Sequence, residues 1–194
     1  MLRLQAAAVI FPHFDTGNGS TVGVLEKVAA TEFLGMEFLT WLYWMSETNN
    51  GKMNVPGVEE FELWLEAPMQ LVADYGEATN LTLKGGTPLD GPEARIGFRE
   101  GKKLAKTRLR LNYRNQTFTC GFNALNFSIS GLKIPAPPNT SGPDYVFVRL
   151  EIFEEFEKFF HSIFDAFLKL RLKDAAWNEQ RDKLRKWVRS FDFA

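Results

Sequence analysis

Between residues 33 and 45 the chain reads Phe-Leu-Gly-Met-Glu-Phe-Leu-Thr-Trp-Leu-Tyr-Trp-Met, and no solvent-facing element carries so many large apolar side chains. Ten of the fifteen residues from Glu32 to Ser46 are apolar, and Glu32, Gly35, Thr40 and Glu47 mark a narrow polar stripe. A helix of this kind is covered on most sides. Thr31 is the expected N-cap, Glu32 and Glu37 suit the positive end of the dipole, and Asn49, Asn50 and Gly51 form the expected stop. The run is too short and too acidic at its ends to span a bilayer. It predicts a central core helix around which one globular domain is assembled.

The rest of the composition fits that expectation. A chain of 194 residues, 45% hydrophobic and with 18 Phe, is long enough for one domain with a proper core or for one domain and a helical appendage. The single Cys120 excludes an internal disulfide and a thiolate zinc site. The apolar start is followed by Pro12, His13 and Asp15 with no small-residue cleavage site, so a cytoplasmic protein is expected.

The net charge of -1 conceals a strong segregation of charge. Residues 1–94 carry 4 basic and 13 acidic side chains, residues 95–114 carry 8 and 1, residues 115–168 carry 3 and 6, and residues 169–194 carry 8 and 4. Two basic blocks therefore stand within an acidic frame.

Along the chain, 8–11 reads as a strand and 15–20 as a polar loop. Residues 22–30 read as a turn or two of helix ahead of the main one. Phe61, Leu63 and Leu65 alternate with Glu60, Glu62 and Glu66 as in a half-exposed strand, which Pro68 is expected to end. Residues 69–73 and 78–84 predict two further short strands joined by a turn at 74–76, in an antiparallel meander. A helix is expected over 92–106, with Asp90 as cap, Pro92 in its first turn, and Gly97 and Gly101 four apart on one side. Then Leu109, Leu111 and Tyr113 alternate with Arg108, Arg110 and Arg114, a strand with one basic face. Asn115 and Gln116 turn the chain into a strand at 117–122, and a further strand is expected around Phe127 and Ile129.

Residues 135–143, with four prolines, form a stiff linker between an α+β body at 1–134 and a helical region at 144–194. In that region 144–172 shows apolar residues every three or four positions, with glutamates early and cations late. At about 1.5 Å per residue such a helix is roughly 40 Å long, so it either crosses the sheet and packs on the central helix or forms a seam with a second copy. A last helix is expected over 175–191, with Trp177, Leu184, Trp187, Val188 and Phe191 inward. The predicted fold class is α+β: an antiparallel sheet packed by a central apolar helix, with a long C-terminal helix pair.

Chemistry is sparse. There is no phosphate loop, GxGxxG, HExxH, CxxC or GxSxG pattern, and His13 and His161 lie far apart, so no catalytic constellation, metal site or cofactor is expected. The glutamate clusters read as solvated faces. The basic run is the stronger signal: Arg95, Arg99, Lys102, Lys103 and Lys106 share one helical surface on the expected layout, and Arg108, Arg110 and Arg114 line a strand face. Eight cations in twenty residues suit salt-dependent, sequence-independent contact with phosphates. The same cations also suit intramolecular balance of the acidic first 94 residues across the sheet, for example with Arg108 or Arg110 opposite Glu60 or Glu62 on a paired strand.

Residues 33–47, together with 83–95, 99–111 and, more loosely, 130–135 and the closing helices, resemble the C-terminal half of long bacterial proteins of the recombination-associated RdgC type. The resemblance covers most of residues 31–190. It implies a DNA-binding protein of recombination control, since RdgC-type proteins are α/β dimers that close a basic ring around duplex DNA with little sequence preference. It also implies a nucleoid-associated location. The relatives carry a sizeable N-terminal region without counterpart before residue 31, so a second copy or a separate N-terminal chain is implied as partner. The alternative expectation is an assembly module without nucleic-acid binding, with the Phe-rich helix at 144–172 as its seam.

Overall fold

The computed structural model describes residues 2–3, 22–73, 80–85, 92–137 and 143–190. The strand expected at 8–11, the loop at 15–20, the turn at 74–76, Asp90 and Phe191 lie outside them. The elements, in order, are β1 (Leu2–Arg3), α1 (Val22–Thr48), β2 (Lys52–Met53), β3 (Phe61–Val72), β4 (Asn80–Leu83), α2 (Pro92–Arg99), β5 (Lys103–Tyr113), β6 (Gln116–Asn123), β7 (Ser128–Lys133), α3 (Pro143–Arg171) and α4 (Asp174–Arg189). The strands form one antiparallel sheet in the order β1-β7-β6-β5-β3-β2, and β4 pairs with β3 as well. The chain is an α+β protein.

The central helix does not begin at Thr31. It runs unbroken for 27 residues from Val22, so Thr31 lies inside it and Glu37 is mid-helix rather than near its positive end. Leu25, Glu26, Lys27, Ala29 and Ala30 are good helix formers, and one interior Thr costs only a few tenths of a kcal/mol, roughly, against Ala. Its end is as expected. Asn50 and Gly51 take φ of 51° and 79°, and the Gly51 N–H donates to the Ser46 carbonyl at 2.8 Å. Glycine is required at 51 twice over, since a Cβ there would also stand 2.7 Å from Trp64 Nε1.

Two sheet boundaries differ from expectation for identifiable reasons. Pro68 does not end its strand: β3 continues through a cis Ala67–Pro68 bond for 12 residues. Proline has no N–H to give to a ladder. The β3–β5 register accordingly slips at that point, from Glu66↔Arg108 to Gln70↔Lys106, so the extra residues of β3 bulge over Thr107. Thr107 Oγ1 donates to the Glu66 carbonyl at 3.0 Å beside the bulge. The β5–β6 turn falls one residue earlier than expected, at Arg114 and Asn115 with φ of 49° and 60°, the pair of left-handed residues that a two-residue hairpin needs.

All three long helices lie on one face of the sheet. α1 packs across β5 and β3, and the Leu104 N–H donates to Thr40 Oγ1 on α1 at 3.0 Å. α3 runs along β6, with Phe156 against Phe118 at 5.1 Å, Phe160 against Phe122 at 5.5 Å and Phe164 against Phe127 at 5.0 Å. Phe159 stacks on Tyr113 at 3.9 Å. The same helix meets α1, where Phe38 touches Phe160, Phe164 and Phe167. The expected phenylalanine seam therefore faces the chain's own core. Only the first turns of α3 present apolar surface, with Val146, Phe147 and Leu150 exposed.

The Thr40 contact yields a direct expectation. Thr40→Val keeps the shape but leaves the buried Leu104 N–H without an acceptor, so equilibrium unfolding in urea should show a loss of about 1–3 kcal/mol. An unchanged midpoint would mean that water reaches that amide.

Candidate nucleic-acid interface

The expected helix over 92–106 is two elements. α2 ends at Arg99, where Gly101 takes a φ of 84°, its N–H donates to Phe98 O at 3.0 Å and the Lys102 N–H donates to Gly97 O at 3.0 Å. This is the double hydrogen bond that closes a helix on a left-handed glycine. Gly97, by contrast, is a packing glycine, because a Cβ there would lie 3.1 Å from Leu81 and 3.3 Å from Leu71. The chain then turns into β5, so Lys102, Lys103 and Lys106 lie beyond the helix whose surface they were expected to share with Arg95 and Arg99.

Apart from Arg95, the eight predicted cations divide into three groups. Lys106, Arg108 and Arg110 alternate along β5 with buried Thr107, Leu109 and Leu111, and so stand on the face away from the helices. There Arg110 Nε is 3.2 Å from Glu66 Oε1 and its guanidinium lies 4.9 Å from the Trp64 ring. The counter-charge is thus Glu66, not Glu60 or Glu62; Glu62 faces Asn112, which donates to it at 3.1 Å. Lys106 and Arg108 join Lys133 around an open-face groove of about 570 Å³ whose one carboxylate is Glu66.

Arg114 belongs to the hairpin end. It donates to Glu59 Oε2 from Nε at 2.9 Å and from Nη2 at 2.7 Å, and to Glu155 Oε1 on α3 at 2.8 Å. This guanidinium holds the Glu59 carboxyl below the ordinary carboxylate range, with the Tyr113 hydroxyl adding a further bond. A carboxylate so depressed contributes stability above its ordinary pKa and loses it as pH falls through the lowered one. Arg114 therefore ties the hairpin end to Glu59 and to α3.

Arg99, Lys102 and Lys103 stand on the helical side. Lys102 is buried, 7% exposed, and its ammonium is paired with Glu100. Two adjoining depressions run along the seam between α2 and α4, sharing Phe98, Leu184, Arg185 and Val188. Tyr43 of α1 stacks on Phe98 at 5.2 Å, and Trp187 of α4 meets Tyr43 edge-on at 5.4 Å, which fixes α4 against α2. The charged residues along the two depressions are Arg99, Lys102, Lys103, Arg181, Arg185 and Arg189, with Glu37 the one carboxylate. Glu37 is itself engaged by Arg171 Nε at 2.8 Å. The fold thus brings the two basic blocks of the sequence together. Arg181, Arg185 and Arg189 were not among the candidate residues. Their signal was the second basic block, but nothing local shows that it meets the first. Arg95 is half-buried on α2 and lines neither depression.

Among the described residues no group of three or more His, Cys, Asp or Glu stands close enough to hold a metal ion. Cys120 is buried behind the sheet's open face, and burial pushes its thiol up to about 12. No helix among the described residues is long and apolar enough to cross a membrane. No model of a known protein family matches the chain, and no curated protein matches it.

Proposed function

We propose that the chain binds the phosphate backbone of DNA with little sequence preference, in the service of recombination as the RdgC-type resemblance implies, and that the α2–α4 seam is the contact surface. The observation that carries this reading is the convergence of six cations from two separated blocks, Arg99, Lys102 and Lys103 from one and Arg181, Arg185 and Arg189 from the other. Gathering like charges raises the electrostatic energy of the folded chain, and a bound polyanion offsets that cost. Of these six, Lys102 pairs with Glu100 and Arg185 with Asp182. Cations that ride on phosphates position a duplex without reading its bases, and the chain carries no base-reading motif.

Duplex binding should be measurable at low salt by fluorescence anisotropy and weaken steeply as salt rises, with a log-log slope of about -0.9 for each phosphate contacted. Arg99→Gln, Arg185→Gln and Arg189→Gln combined should lower the magnitude of that slope by about 2 to 3. Absence of binding at low salt rejects the reading.

An assembly role has one observation of its own, the exposed Val146, Phe147 and Leu150 on α3. Under that reading sedimentation velocity finds an oligomer that Phe147→Glu dissociates; a monomeric wild type excludes it.

A further inference from the structure

The seam depression lined by Trp41 and Trp177 reaches inward between α1, the α2–β5 turn and α4 to form a cavity of about 420 Å³. Pockets that take small ligands begin at about 300 Å³ and are apolar, with a few charged or polar groups that set orientation. Here the apolar lining comes from Trp41, Phe98, Trp177, Leu184 and Val188. Trp41 is 3% exposed, and its buried indole N–H finds no acceptor among the described residues. A buried donor without a partner is uncommon in folded proteins and asks for an acceptor. Lys102, Lys103, Arg181 and Arg185 line the same cavity, and its single carboxylate, Glu37, is held by Arg171.

We infer that this cavity is a binding site for a small apolar carboxylate, an aromatic or branched-chain acid whose body packs on Trp41, Phe98, Trp177 and Leu184 while its carboxylate sits among the lysines and arginines. Both halves of the cavity's chemistry select that class. The apolar walls reject a hydrophilic anion, because burying its polar groups without partners is costly. The lining cations, of which Lys102 pairs with Glu100 and Arg185 with Asp182, repel a cationic molecule of the same shape and give no charge attraction to a neutral one. The uncharged polar lining residues are Thr40 and Gln180, too few to satisfy the edge of a nucleobase, so a nucleotide is a poorer fit than an acid with a plain hydrocarbon body.

The test is calorimetric titration of the full chain with 2-naphthoate, in the absence of nucleic acid, so that it stands apart from the DNA-binding reading. The expected result is saturable binding at one site, with the neutral 2-naphthalenemethanol at least tenfold weaker. Leu184→Trp fills the cavity and should abolish binding. Arg181→Gln with Arg185→Gln, both at exposed positions of α4 where folding is not at stake, should weaken naphthoate at least tenfold and leave the alcohol unchanged. The inference is overturned if the wild type shows no saturable binding, if the alcohol binds as well as the acid, or if the arginine variant binds the acid as tightly as the wild type.

Discussion

Phe38→Ala should remove about 3–5 kcal/mol of stability. Phe38 is fully buried, and its ring touches residues of three elements: Trp41 on its own helix at 6.4 Å, Phe122 on β6 at 6.1 Å, and Phe160, Phe164 and Phe167 on α3 at 6.2, 5.0 and 5.3 Å. The loss is large because the site cannot collapse. Those neighbours are held by other contacts, Phe160 by Phe122, Phe164 by Phe127 and Phe167 by Trp177, so the space left by the ring stays open. Urea unfolding followed by circular dichroism measures it. A loss under about 1.5 kcal/mol would mean that α3 does not pack on α1 as described.

Gly35→Ala should be destabilising although helix propensity favours Ala over an interior Gly by about 1 kcal/mol. Gly35 lies within α1, and a Cβ built there stands 2.0 Å from the Ala124 carbonyl oxygen and 2.9 Å from a ring carbon of Phe127. The first obstacle is backbone, fixed by the Ala124 N–H donating to Ala105 O at 2.8 Å, so no side-chain rotation relieves it. α1 must then lift off the β6–β7 turn. Overpacking of this kind costs roughly 1–3 kcal/mol and here lies at the upper end, which for a chain of this size lowers the melting temperature by about 5–10 °C. A rise in melting temperature, as propensity alone predicts, would show that α1 does not approach that turn.

What the sequence made legible follows the range over which each signal acts. The covered helix at its centre, the alternation of β5 and β6 and the long C-terminal helix are written in local periodicity, and each is present. The errors arose where a local signal had two meanings. Thr31 suits an N-cap but also sits inside a helix at little cost, and the residues before it decided the matter. Pro68 breaks ladder pairing, which ends a strand in one setting and makes a bulge in another. Gly101 read as a helix-face glycine spaced from Gly97, whereas its left-handed backbone closes the helix and sends Lys103 and Lys106 into a strand.

The candidate interface was less legible because charge in a sequence carries no direction. The expected layout put Lys106 on a helix with Arg95 and Arg99 and Arg114 on a strand face with Arg108 and Arg110, yet strand alternation places Lys106 on the open face with Arg108 and Arg110, and the hairpin engages Arg114 with Glu59 and Glu155. The expectation of intramolecular counter-charge holds for Arg110 and Arg114, and for Lys102 through Glu100. The meeting of Arg99 with Arg185 and Arg189 depends on the aromatic packing of Tyr43, Phe98 and Trp187, which no local pattern announces.

The seam and the open face carry separate sets of cations. The decisive measurement is the salt dependence of duplex binding for two triple variants compared with the wild type: Arg99→Gln, Arg185→Gln, Arg189→Gln on the seam, and Lys106→Gln, Arg108→Gln, Lys133→Gln on the open face. If the seam is the contact surface, the seam variant should lose about 2 to 3 units of slope while the open-face variant stays within about one unit of the wild type. Equal losses from both, or a loss confined to the open-face variant, would contradict it.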